Sequence, residues 1–282
     1  MGLRINTNVS SLNAQRNLGQ TRGAQQKVLE QLSSGNRINR AGDDAAGLAI
    51  SDNLKAQIRG LSQAERNAQD GVSLVQIAEG GLSEISNILI RLRELSVQAA
   101  SDTIGPTERK FLNVEFEQLL SEIDRLANST EFNRVPLLNG TGSVFDIQIG
   151  TRNDPLSDRL TFDASTADVN VASLGLNLAS VSDKISAQNS LTAIDQAIQS
   201  VSGIRADFGA LQNRLQSTIN NLQVSVENLS AANSRVRDTD IAKATAELTK
   251  NNILMQAGTS VLAQANQSTT SALTLIQQAS RG

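Results

Sequence analysis

The 282-residue sequence contains no histidine, cysteine, tryptophan or tyrosine. Without imidazole and thiolate groups, the chain cannot form a Ser-His-Asp or Cys-His nucleophile or a metal site with those ligands. No recognisable motif gathers carboxylates or lysines for catalysis, so we expect a protein that is not an enzyme and has no cofactor. The absence of cysteine also excludes disulfides as a source of stability, but leaves the redox compartment undetermined.

Aromatic residues and prolines are scarce and lie in the middle of the sequence. The only aromatic residues are six phenylalanines between Phe111 and Phe208. The three prolines are Pro106, Pro136 and Pro155. Because proline interrupts helices, long helices are permitted in residues 1–105 and 156–282. These outer segments have to bury themselves with alanine, leucine, isoleucine and valine, whose small size allows helices to approach closely.

The charge pattern and the hydropathy pattern argue against two classes of partner. The formal net charge is -3, and the ends of the chain have no aromatic residues on which bases could stack, so we expect no nucleic-acid partner. No apolar stretch is long enough to cross a membrane. The first six residues lack the apolar core of a signal peptide, so we expect any export to proceed without cleavage of one.

Apolar residues at alternating steps of three and four predict three long helices. The second half of the first helix carries the most regular seam: Val75, Ala78, Leu82, Ile85, Leu89, Leu92, Ser96 and Ala99. A second helix is predicted to begin at Gly105-Pro106, and a third to run from about 191 to 229. Three amphipathic helices of this length can bury one another as an antiparallel bundle.

Residues of about 130–180 have a different character. Short alternating runs, of which 144–149 is the most regular, are separated by turn residues such as Asn139-Gly140. We therefore expect a small β-hairpin region next to the bundle.

Capping residues predict where the outer helices end. Gly35 suits a helix C-terminus, and Asp43-Asp44 and Asp238-Thr239-Asp240 suit helix N-termini. The two adjacent aspartates are also candidate ligands for a hard cation, although capping explains them with fewer assumptions. The fold predicted from these signals is mainly α: 1–43 and 241–282 form a long-helix coiled coil, and 44–240 form the bundle with its β region.

The terminal helices have thin apolar seams. Residues 251–280 contain no charged side chain, and their apolar stripe includes many alanines. We expect both ends to order when many copies pack together, while a polar tail that never orders is the alternative. The candidate terminal assembly seam is Ile5, Val9, Leu12, Leu254, Val261, Ala265, Ala272 and Leu275.

Four stretches of this sequence resemble the signatures of bacterial flagellin, the subunit of the flagellar filament. They are INTNVSSLNAQRNL at 5–18, LSSGNRIN at 32–39, DDAAGLAI at 43–50 and ILMQAGTSVLAQANQ at 253–267. The resemblance covers about 1–140 and 185–282. It implies a structural subunit that polymerises into the filament used for motility, in a minimal form without large central surface domains.

The resemblance also implies a place and a set of partners. The paired terminal helices would form the inner domain of an extracellular filament, with further copies or sibling flagellins as neighbours. Export would use the flagellar type III apparatus, with a chaperone on the C-terminal segment. The hook-filament junction proteins and the filament cap would be the other partners.

The resemblance to flagellin also implies a role for individual residues of the bundle. The stretch LIRLRELSVQ at 89–98 resembles the one read by the vertebrate Toll-like flagellin receptor, with Arg91 and Leu95 at its key positions and Glu115 on the partner helix. An ordinary bundle interface with solvated charges is the alternative explanation for these residues.

Two other functions were weighed against the filament subunit. A hook-filament junction protein resembles flagellin at both ends, although the C-terminal stretch favours flagellin. Some flagellins carry a zinc protease with a His-Glu-x-x-His motif, and the absence of histidine excludes that activity here.

Overall fold

The computed structural model describes residues 7–279, with the side chains of 269 and 272–279 excepted. Helices account for most of this part of the chain, which confirms the mainly-α fold class. The elements are α1 Val9–Ser34, α2 Ala45–Ala99, α3 Pro106–Ser129, β1 Glu131–Phe132, β2 Val135–Pro136, β3 Val144–Gln148, β4 Arg159–Asp163, a 3-10 turn Ala164–Thr166, α4 Lys184–Arg237 and α5 Ile241–Ala279.

The helix ends follow from local hydrogen bonding. Gly35 ends α1 in the left-handed conformation, with a φ of 70°. Asp44 accepts a hydrogen bond from the amide of Gly47 at 2.9 Å, and Asp240 accepts one from the amide of Lys243 at 3.1 Å. All three of these predicted caps are confirmed.

The core of the bundle lies in the unit formed by Gln57–Asn228. All eight residues of the seam predicted in α2 are fully buried. They pack with Phe116 and Ile123 of α3 and with Ile194, Val201 and Phe208 of α4. The heptad spacing therefore predicted the buried face of the bundle helices correctly.

α4 is longer than the sequence pattern predicted. It starts at Lys184 and ends at Arg237, whereas the apolar periodicity indicated about 191–229. The extra first turns are stabilised by Asp183, whose carboxylate accepts hydrogen bonds from the amides of Ile185 and Ser186 at 3.0 Å. Ile185 is exposed, so this turn adds little to the apolar pattern from which the boundary was predicted.

The β region consists of two antiparallel pairs, β1 with β2 and β3 with β4. In the larger pair Phe145 lies opposite Phe162, and the Phe162 ring stands 4.8 Å from that of Phe208 on α4. On the α2 side, a Cβ at Gly71 would lie 2.6 Å from Cδ1 of Ile147. The hairpin is thus held against both α2 and α4 by side chains of the common core.

The second unit contains the residues up to Ala56 together with those from Leu229 onward. It holds α1, α5 and the two linkers, while α2 and α4 contribute segments to both units. The predicted division at 43/44 and 240/241 stays a prediction. Within the described residues, no helix is both long enough and apolar enough to span a membrane.

Candidate assembly interface

The helices α1 and α5, from opposite ends of the chain, pack against each other as an antiparallel pair. The side-chain amide of Asn8 donates to the carbonyl of Ala265 at 2.9 Å. Farther along α1, Gln25 donates to the side-chain oxygen of Asn252 at 2.6 Å. Because the later residue on α1 pairs with the earlier residue on α5, the two helices run in opposite directions.

The contact face of each helix repeats at steps of three and four, as in a coiled coil. Its more buried positions on α1 are Ser11, Ala14, Leu18, Thr21, Gln25 and Val28. Those on α5 are Ala244, Leu248, Asn251, Met255, Gly258, Leu262 and Ala265. Small and polar residues occupy more than half of this inner seam, so the pair buries little apolar area for its length.

The predicted assembly residues lie beside this inner seam. Val9 and Leu12 are 52% and 57% exposed, and Leu254 and Val261 are 46% and 56% exposed. Leu12, Leu254 and Val261 each stand one residue from an inner-seam position, and Val9 stands two residues from Ser11. Ala265 belongs to the inner seam itself. Sequence reasoning missed this offset because serine, alanine and glycine add little to a hydrophobic pattern, and the neighbouring valines and leucines dominate it.

Three members of the predicted seam lie outside the described residues: Ile5 as a whole, and the side chains of Ala272 and Leu275. The role of the whole predicted seam in assembly stays a prediction.

The helix pair leaves apolar side chains exposed in the single chain. Besides the four named above, Leu29 on α1 and Ile241 and Ile253 on α5 are about half exposed. Charged residues are absent from the sequence of α5 beyond Lys250. Covering such a surface with another apolar surface lowers the free energy, and beyond Lys250 no charged group of α5 has to lose its water in doing so.

The linkers before and after the helix pair are tied together by backbone hydrogen bonds. The amide of Arg37 donates to the carbonyl of Arg237 at 2.6 Å, and the amide of Thr239 donates to the carbonyl of Gly35 at 2.9 Å. We call residues 35–37 and 237–239 the linker clasp. Because the clasp joins the end of α1 to the start of α5, it brings the two helices together at one end.

An ion pair supports the linker that follows the clasp. The Lys27 ammonium lies 2.7 Å from the Asp43 carboxylate, which also accepts hydrogen bonds from the amides of Asn39 and Arg40. The hydrogen bond from Lys27, followed by those from the two amides, lowers the pKa of Asp43 below its ordinary value. In the structure Asp43 is thus engaged by Lys27 and two amides, and Asp44 acts as a helix cap. Among residues 7–279, no group of three or more potential ligands could hold a metal ion.

The second candidate site lies on the bundle. Arg91 donates to Glu115 on α3 at 2.9 Å and to Glu94 at 3.0 Å, and these two contacts raise the pKa of the guanidinium, Glu94 most. Both Arg91 and Glu115 are exposed. Leu95, in contrast, is fully buried in the core. The structure therefore brings Arg91 and Glu115 together on the surface and places Leu95 in the core.

Comparisons with known proteins agree on one family. The model described as the N-terminal helical region of bacterial flagellin matches residues 5–143, and the one for the C-terminal helical region matches 191–276. Together the two matches cover well over half of the chain.

Relatives and a solved structure give the same result. The chain is 46% identical to a flagellin of Halalkalibacterium halodurans, over 97% of this chain and 99% of that protein. It is 43% identical to the flagellar filament 33 kDa core protein of Treponema phagedenis, with 97% and 99% coverage. The crystal structure of Bacillus cereus flagellin is 36% identical with a TM-score of 0.50, over 60% of this chain and 94% of that one. The chain therefore belongs to the bacterial flagellin family.

Proposed function

We propose that this chain is a structural subunit that polymerises into the bacterial flagellar filament used for motility. The observation that carries the proposal is the pairing of α1 with α5, which leaves apolar side chains of both helices exposed. Further copies of the same chain can cover such a surface. Repetition of one such contact, where it does not close into a ring, generates a helical polymer.

Seeded polymerisation tests this function. Purified chain is added to short filament fragments, and elongation is followed by light scattering and electron microscopy. Long filaments are the expected product, and a variant lacking residues 241–282 should add nothing to the same seeds. A full-length chain that stays monomeric on competent seeds would contradict the proposal.

A hook-filament junction protein was the alternative. Identity of 46% to a flagellin over nearly the whole of both chains favours the filament subunit. A junction piece would bind seeds but not elongate them, so the seeding experiment also separates these two functions.

A purely structural role, without enzymatic activity or a cofactor, is the reading we favour. It is supported by the absence of histidine and cysteine from the whole sequence, which removes imidazole and thiol chemistry. The relatives that match nearly the whole chain are a flagellin and a flagellar filament core protein, and both names denote a structural component.

The filament is extracellular, and we propose that the chain reaches it without cleavage of a signal peptide. Membership in the flagellin family supports this route. Mass spectrometry of filaments should then find Gly2 or Met1 at the N-terminus, whereas a start farther along the chain would contradict this route.

An export chaperone on the C-terminal segment, the filament cap, the junction proteins and sibling flagellins are proposed as partners by family membership. The long uncharged stretch from Asn251 supports the chaperone in particular, because its exposed apolar side chains need cover before assembly. Pull-down with α5 as a fusion, compared with α1 as the control helix, tests which helix such a chaperone holds.

Recognition by a Toll-like receptor is proposed for the surface around Arg91 and Glu115. Both side chains are exposed and paired, so they form a fixed polar feature on the bundle. Leu95 is buried and would act only by supporting α2 from below. A reporter-cell assay comparing the monomer with the Arg91→Ala variant should show a weaker response for the variant, and no response to either would contradict recognition.

A further inference from the structure

We propose that Leu18 and Gly258 set the register of α1 against α5, and that polymerisation depends on this register. The proposal rests on the filament function argued above. It assigns a positioning role to two residues that contribute little to the exposed apolar surface.

Leu18 leaves no room for a side chain at position 258. A Cβ placed on Gly258 would lie 2.7 Å from Cδ2 of Leu18 and 3.1 Å from its Cγ. Rotation about χ2 would move Cδ2 away but leave Cγ in place, so full relief also requires Leu18 or one helix to shift by a few tenths of an ångström. Glycine at 258 therefore provides a recess in α5 that Leu18 of α1 enters.

Other glycines of the same helix pair have no such role. Positions 19 and 23 on α1 are exposed, and a Cβ at either would meet nothing within 4 Å. Glycine lowers helix propensity by about 1 kcal/mol relative to alanine. Its presence within α5 thus carries a cost in helix stability that the Leu18 contact explains.

Polar pairs flank the Leu18–Gly258 contact on both sides. On one side the buried hydroxyl of Ser11 donates to the side-chain oxygen of Asn266 at 2.9 Å, and on the other Gln25 donates to Asn252. Ser11 is buried, so a slip would separate its hydroxyl from this partner, whereas the exposed Gln25–Asn252 pair reports the register without fixing it. Alanine and leucine positions do not discriminate in this way, since neighbouring apolar positions are nearly interchangeable.

Register matters for assembly because the exposed apolar surface is shared between two helices. Val9 and Leu12 belong to α1, while Leu254 and Val261 belong to α5. Each residue of slip moves one helix along the other by about 1.5 Å. A slipped pair would present a different surface to the next copy, so copies could no longer repeat one contact.

The first test is the Gly258→Ala variant in the seeded polymerisation assay. We expect elongation to fall about tenfold or more, because overpacking has to displace Leu18 or separate the helices. The matched control is Gly23→Ala, which makes the same substitution in an exposed helical position. Both variants raise helix propensity, so a loss confined to Gly258→Ala cannot arise from weaker helix formation.

The second test is a rescue. In the double variant Leu18→Ala/Gly258→Ala the methyl group fills space that Leu18 has vacated, so elongation should recover at least several-fold over Gly258→Ala alone. Circular dichroism melting of the Gln57–Asn228 unit should be the same in all variants, because none of the changes lies in it.

The third test reads the register directly. Since the chain has no cysteine, Gln25→Cys/Asn252→Cys introduces one pair whose disulfide reports on this contact. The disulfide should form readily with Gly258 and Leu18 in place, fall in the Gly258→Ala background and return when Leu18→Ala is added. A disulfide also traps a contact that the monomer samples only part of the time, so cross-linking can be measured in the monomer and does not depend on the proposed function.

Equal elongation and equal cross-linking of Gly258→Ala and the parent would overturn the register proposal, as would an equal loss in Gly23→Ala. Failure of the parent chain to elongate seeds would overturn the filament function instead, and the cross-linking result would still decide the register.

Discussion

The six phenylalanines of this chain range from buried to exposed, so their contributions to stability differ. Phe208 is buried on α4 and its ring contacts that of Phe162 on the hairpin. Phe111, on α3, is 71% exposed. With few aromatic residues available, the Phe208 contact is a main link between the hairpin and the bundle.

The Phe208→Ala variant should lower the free energy of unfolding of the bundle by about 3–5 kcal/mol, because it leaves a cavity under the hairpin. Urea denaturation followed by circular dichroism measures the change. The control Phe111→Ala removes the same atoms from an exposed site and should change stability by less than about 0.5 kcal/mol. Equal losses in the two variants would refute the assignment of Phe208 to the core.

A second residue-scale prediction concerns Asp43. Contacts with Lys27 and two amides lower the pKa of this carboxyl in the folded chain. The stabilisation is therefore present above the unfolded value of about 3.9, and it is lost as pH falls through the lower folded value. The Asp43→Asn variant should weaken protection of the Asn39 and Arg40 amides at pH 7, and the difference from the parent should vanish at strongly acid pH.

Hydrogen exchange measured by mass spectrometry and corrected for intrinsic rates tests this pH dependence. Asp207→Asn is the control, since Asp207 is exposed on α4 and has no hydrogen bond or ion pair among the described residues. A difference that persists unchanged from pH 7 to pH 2 would show that the Asp43 charge is not involved.

At the scale of elements, the bundle helices were readily predicted and the terminal pair was predicted only in outline. The α2 seam is built of residues such as Leu82, Ile85 and Leu89, whose burial dominates the free energy and whose spacing is therefore visible in the sequence. In α1 and α5 the inner seam includes Ser11, Ala14 and Gly258, so its position depends on close approach and on hydrogen bonds. Those contacts link residues some 250 positions apart, which no local pattern reveals.

Helix ends show the same distinction. The α1 terminus was predicted because Gly35 is a strong local signal, and the structure gives it a φ of 70°. The start of α4 was not predicted, because the first two turns after the capping residue Asp183 carry few core residues.

Gly35→Ala should destabilise the end of α1 by about 1 kcal/mol, because alanine pays for the left-handed conformation. Gly42→Ala is the matched control: that glycine lies in the following linker, has no positive φ and has free space for a Cβ. Amide exchange in the last turn of α1 should accelerate several-fold in the first variant alone. Similar exchange in both variants would contradict the capping role.

At the scale of the whole molecule, the chain separates folding from assembly. The unit Gln57–Asn228 contains the continuous apolar core, while the other unit holds the thin α1–α5 pair. A chain can thus carry a stable bundle and a weakly stabilised terminal pair together, which suits a subunit whose ends have to pack with other copies. The membership in the flagellin family was predicted from four sequence stretches and is confirmed by the comparisons.

Removal of residues 241–282 should leave the bundle folded. The deleted variant should keep a cooperative thermal transition, because the Gln57–Asn228 core contains none of the removed residues. Differential scanning calorimetry measures this transition. Loss of the transition would show that the bundle depends on α5.

The central claim is that the terminal helix pair gains its stability from contacts between copies. Amide hydrogen exchange, compared between the monomer and the seeded filament, tests this claim most directly. The account predicts a large gain of protection in residues 9–34 and 241–268 on polymerisation, with little change in the buried seam of α2. Equal protection of the terminal helices in both states would contradict it.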